Sequence, residues 1–201
     1  MTACVLLVRA DAAAQRRHAS AEARVVKGQV LTSSKLPPIR MRFDKRFKYA
    51  GSQKFVLYER AQAEQHFFVD ADAGRRVRGM YMLQFEGYLP GVDASYNYES
   101  KETLKLGGDD YIVNVESVPN VKAALGQQPE SDAARAVAFL EGKGYHLPES
   151  VRFQRFVRLV DESKRNEFIM LYVEDAGATQ ADENAMREFR ARATKGFVIL
   201  K

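Results

Sequence analysis

Cysteine and tryptophan are close to absent: the 201 residues carry one cysteine, Cys4, and no tryptophan. A single thiol excludes an internal disulfide framework and a thiolate metal cluster. Histidine is almost as scarce. His18, His66 and His146 are scattered along the chain, and a three-histidine zinc site would have to recruit His18 from a polar lead-in. Asp70 and Asp72 begin like a calcium loop, but the glycine is displaced to Gly74 and Tyr81 stands where a bidentate glutamate would fall. No metal and no cofactor is therefore expected. No apolar run approaches the ~18 residues of a membrane-spanning helix. The GxSxG, GxxxxGK, GxGxxG and HExxH signatures are all missing, so no nucleophile, phosphate loop or zinc-protease helix can be assigned.

What is present suffices for one core. Apolar residues make up 46% of the chain, enough at this length for a single domain. The net charge of +5 is unevenly spread: residues 16–60 hold twelve Lys/Arg against three Asp/Glu, whereas residues 61–201 hold eighteen against twenty-two. A basic segment attracts anionic surfaces in a salt-dependent way. At the N-terminus a short apolar run, residues 3–8, precedes small residues with two A-x-A patterns at 10–14. That order resembles the tail of a secretory signal peptide. Residues 1–24 are expected to be a truncated signal remnant and flexible lead-in, and residues 25–201 one domain. The expected location is periplasmic or secreted, with the cytoplasm as the alternative.

Period-two patterning dominates the domain. Ile39, Met41, Phe43, Phe47 and Tyr49 alternate with Arg40, Arg42, Arg46 and Lys48, which predicts one half-buried strand with a basic outer face. AGSQ at 50–53 predicts a turn, with residues 54–62 returning, and DADAGR at 70–75 predicts another. Further strands are expected over 103–106, 111–118, 151–160 and 167–174, and at the terminal FVIL. Ser131 or Asp132 can cap a helix to about residue 141, and residues 182–194 form a second, with acids first and arginines last as the helix dipole favours. The predicted fold class is α+β: a curved, mainly antiparallel sheet of about six to nine strands, with two helices in the C-terminal half packed on one face.

The stretch RGMYMLQFEGY at 78–88 is apolar on both alternating faces, yet carries Gln84 and Glu86. With a hairpin centred near residue 73, Arg60 would face Glu86, Gln62 would face Gln84 and His66 would face Met80. Arg60 then pairs with Glu86 across the sheet. The same face read as a pocket gives Arg60, His66, Met82, Gln84, Glu86 and Tyr88 as candidate ligand-binding residues, apolar walls with a few polar groups. Tyr96 and Tyr98 lie in a tyrosine-rich loop and are candidates for contact with a protein partner. Arg40, Arg42, Arg46 and Lys48 are candidates for contact with an anionic membrane surface. Nucleic acid is disfavoured because the alternation sends rings and charges to opposite faces, whereas stacking on bases needs them together. The leading expectation is an exported, non-catalytic binding or accessory protein for a small amphipathic molecule or a protein partner. Two alternatives stand: an enzyme using His66 and Glu86 as an acid–base pair, and a structural envelope-associated protein with a basic strip.

Overall fold

The computed structural model describes residues 23–100, 102–177 and 182–200. The signal-like stretch therefore lies outside the described residues. Among them, eleven strands form two antiparallel sheets accompanied by three helices. The smaller sheet has the order β1 (Arg24–Lys27), β2 (Val30–Ser34), β3 (Pro38–Phe43), β11 (Phe197–Leu200). The larger holds β4 (Lys48–Leu57), β5 (Ala61–Ala71), β6 (Val77–Tyr88), β7 (Thr103–Leu106), β8 (Asp109–Val118), β9 (Val151–Leu159) and β10 (Asn166–Asp175). Its order is β4-β5-β6-β10-β9-β8-β7. The helices are α1 (Val121–Gln127), α2 (Asp132–Gly142) and α3 (Glu183–Lys195). No helix among the described residues is long and apolar enough to cross a membrane.

The mixed α+β class with antiparallel sheets holds, but the single sheet becomes two. The apparent strand over 39–49 breaks at Asp44, whose backbone carbonyl accepts from Phe47 N and whose carboxylate accepts from Arg46 N. Lys45, the lone interruption of the alternation, marks that turn. β3 thus ends in one sheet and β4 begins in the other, with Phe43 and Phe47 both buried between them. Arg40 and Arg42 stay exposed on β3, Arg46 sits in the turn over the Phe47 ring, and Lys48 opens β4. The four basic residues do not share one strand face.

Two cores flank β6, because successive side chains of a strand point to opposite faces. Tyr81, Leu83 and Phe85 enter the core between the sheets, together with Met41, Phe43 and Phe168. Met80 and Met82 enter a second core with Phe67, Val173 and the α2 residues Ala136 and Leu140. The α3 residues Phe189 and Ala193 belong to the first core. The two expected helices therefore serve different cores rather than one face. Tyr81 Oη anchors α3 by donating to the Ala193 carbonyl at 2.9 Å.

Candidate functional site

The face of the larger sheet that carries Met80 and Met82 changes character along its strands. Paired rows run Val69–Met80–Val173, then Phe67–Met82–Leu171, then Gln65–Gln84–Ile169, and finally Ala63–Glu86–Glu167. Apolar rows lie at one end and a carboxyl pair at the other. Glu86 and Glu167 stand directly opposite each other on β6 and β10, a placement that brings side chains within ~5.5 Å of one another at Cβ and is unfavourable for two like charges.

Neutral donors converge on these carboxyls. A glutamine ladder crosses three strands: Gln53 Nε2 donates to Gln65 Oε1 at 2.7 Å, Gln65 Nε2 to Gln84 Oε1 at 2.7 Å, and Gln84 Nε2 to Glu86 Oε2 at 2.5 Å. Gln84 Nε2 also reaches Asp132 Oδ2 at the start of α2, 3.1 Å away. From the loop at 89–100, Tyr96 Oη donates to Glu86 at 2.8 Å and Tyr98 Oη to Glu167 at 2.5 Å. Arg165, in the turn between β9 and β10, holds that loop with hydrogen bonds to the carbonyls of Leu89, Val92 and Ala94.

Burial raises both carboxyls against the opposing pull of these hydrogen bonds. Glu167 is only 3% exposed. Burial, together with the negative charges of Glu86 and Asp132, lifts it to about 8 although Tyr98 and Arg155 pull it down. Glu86 is raised by burial, with Asp132 adding to the effect. Near neutral pH the pair therefore holds a proton, as two close carboxyls in a poorly solvated place must. The phenols of Tyr96 and Tyr98 are raised as well, first by burial and then by the carboxylates they touch, so they remain donors.

Beside the polar rows lies a cavity of about 480 Å³. Its floor is Met80, Met82, Leu171 and Val173 of the sheet, and its roof is α1 and α2 through Val121, Ala124, Ala136 and Val137. Glu116, Asp132 and Arg155 line one part of its wall. The Arg155 guanidinium is itself held by Asn114 at 2.8 Å and Glu116 at 3.4 Å. α1 exists because Asn120 caps it, its Oδ1 accepting from Ala123 N. Ser131 caps α2 in the same way.

The observed register corrects the expected site. Glu86 pairs with Ala63, Gln84 with Gln65, and Leu83 with His66. The offset of three residues is odd, so it moves every β5 side chain to the other face. His66 is therefore on the opposite side of the sheet from Glu86, and the two cannot act on one substrate atom. Arg60 lies exposed in the turn at 58–60, and Glu86 is satisfied by Tyr96 and Gln84 instead of by Arg60. Met82, Gln84 and Glu86 do share the face expected of them. Tyr88 is half-buried and stacks on Tyr96 with centroids 4.4 Å apart. Tyr96 and Tyr98 direct their hydroxyls inward to the carboxyls rather than outward to a partner.

The sequence alone singles out neither Glu167, Gln65, Arg155 nor α1 for the site, and offers Asp132 only as a candidate helix cap. One signal was available: NEFIMLY at 166–172 repeats the pattern of 78–88, a strand apolar on both faces with a lone acid near one end. Among the described residues, no group of three or more His, Cys, Asp or Glu side chains is gathered so as to hold a metal ion. No known protein family, characterised protein or solved structure matches this chain.

Proposed function

We propose that the chain is a non-catalytic binding protein, exported from the cytoplasm, that carries a small amphipathic molecule in the cavity between the larger sheet and helices α1 and α2. The single observation behind this reading is the cavity itself: about 480 Å³, apolar over its floor and roof, with Glu116, Asp132 and Arg155 in its wall. Such dimensions and such a mixture of surfaces are those of small-molecule sites. The molecule's apolar part would lie on Met80, Met82 and Val173, and its polar part would meet Arg155 and Asp132. The larger sheet would curve towards this ligand. Export is supported by the signal-like order of residues 3–14.

Native mass spectrometry of the chain recovered from separated cell fractions tests carriage and export together. A bound small-molecule mass on protein from the exported fraction is expected. A titration with the neutral amphiphilic dye Nile red tests the position. Ala124→Trp, which puts an indole into the cavity from α1, should weaken dye binding by about tenfold or more, the loss of ~1.4 kcal/mol. Equal binding by the parent and Ala124→Trp would sink the assignment of the cavity.

A further inference from the structure

The outer face of the smaller sheet carries charge of one sign only. One row across its four strands reads Lys27, Val30, Arg42, Val198. The next reads Val25, Thr32, Arg40, Leu200. Neither row contains an acid. Elsewhere Arg24, Arg155, Arg158 and Arg192 each lie within 4 Å of a carboxylate. Among the described residues Lys27, Arg40 and Arg42 have no such partner. Aliphatic side chains flank them, with Val25 41% and Val198 47% exposed.

We infer that this face docks on an anionic lipid bilayer surface. Three cations on one plane, without a carboxylate partner among the described residues, match the phosphates of acidic headgroups, each adding ~1 kcal/mol, or about fivefold, near such a surface. The exposed valines match the apolar layer just beneath the headgroups. Single-stranded nucleic acid fits less well, because the nearby rings, Phe43 and Phe197, are buried on the other side of the same sheet and cannot stack on bases. The cavity lies on the far side of the larger sheet from this face.

Co-sedimentation of the full chain with phosphatidylcholine vesicles, with and without phosphatidylglycerol, tests it. The parent should prefer the anionic vesicles by about a hundredfold, and added salt should erase the preference. Arg40→Thr combined with Arg42→Thr keeps strand-favouring residues on an exposed face and should lower anionic binding by about thirtyfold. Lys122→Gln on α1 with Lys143→Gln at the C-cap of α2, across the molecule, removes the same net charge and should leave binding near the parent level. Equal partition of the parent into both vesicle types would overturn the inference, as would parent-like binding by the Arg40/Arg42 variant or an equal loss in the Lys122/Lys143 control. Binding of the parent to soluble polyglutamate but not to vesicles would overturn it in favour of an acidic protein partner.

Discussion

Glu86 and Glu167 sit face to face because each closes a strand that is otherwise buried on both sides, and antiparallel pairing aligns the two acids. Neutral donors surround them: Gln84, Tyr96 and Tyr98 supply hydrogen bonds without supplying charge. Folding therefore binds a proton that the unfolded chain would release near pH 4.5. With folded-state values raised, the associated stability is complete below about pH 4.5 and is lost as pH rises through about 8, where Glu167 ionises in the fold. The loss should reach a few kcal/mol for this nearly inaccessible group. Glu167→Gln places a neutral amide where the protonated acid was, still able to accept from Tyr98. Thermal unfolding at about pH 5 and pH 9 should show a falling midpoint for the parent and a clearly flatter profile for the variant. Identical slopes would mean that the carboxyl pair does not hold its proton.

At the scale of elements, the β4–β5–β6 ribbon shows which local signals can be trusted. AGSQ at 50–53 is no turn: Gly51, at φ +126°, forms a bulge inside β4. The reversal comes at 58–60, where Tyr58 and Glu59 adopt φ of 49° and 57° without a glycine or proline to announce it. In the next hairpin the left-handed position falls on Arg75, φ 59°, rather than on Gly74, and a further bulge shifts the pairing between Asp70 and Ala71. These displacements are invisible to periodicity, and an odd slip exchanges the two faces. That is why the composition of the site face was half legible while its partners were not. The C-terminal hairpin was legible, and so was the start of α2 at one of its two candidate caps, Ser131, because a short connection and a capping side chain act locally; Asp182, read as the first residue of its helix, is the cap of α3. The bulge makes a test of its own. A Cβ at Gly51 would meet the Phe139 ring at 3.0 Å, whereas one at Gly28, φ +59°, meets nothing within 4 Å. Phe139 stacks on Phe67 at 4.9 Å, which limits its retreat. In urea denaturation Gly28→Ala should cost ~1 kcal/mol, and Gly51→Ala ~2–3 kcal/mol. Equal costs would show that the bulge is not pinned by α2.

Across the whole molecule, the two sheets meet through an aromatic core whose margin is closed by charge. Arg24 of β1 reaches over to β5, its guanidinium 2.9 Å from Glu64 and 3.9 Å from the centre of the Phe85 ring. Two further hydrogen bonds tie it to the carbonyls of Lys35 and Leu36. His66 Nε2 lies 2.9 Å from the other Glu64 oxygen, and Tyr49 Oη lies 3.1 Å from His66 Nδ1. Burial alone would raise Glu64, but the His66 hydrogen bond and the Arg24 charge outweigh it and hold the carboxyl at about 2. The side chains of Arg24 and Glu64 are 11% and 10% exposed, so removing one leaves the other charge stranded. Glu64→Gln should destabilise the fold by ~3–5 kcal/mol near neutral pH. Adding Arg24→Met should recover much of that loss, since an apolar side chain needs no counter-charge. With a depressed folded-state value, the stability due to Glu64 is present above about pH 4.5 and disappears as pH falls through about 2. The gap between the parent and Glu64→Gln should therefore close on acidification, as the gap for Glu167→Gln opens towards alkali. Since the carboxyl pair penalises high pH and this ion pair penalises low pH, the parent should be most stable near pH 5. Denaturant midpoints across that range check the combination. A Glu64→Gln cost below ~1 kcal/mol, the size of an exposed pair, would show that apolar packing alone joins the sheets.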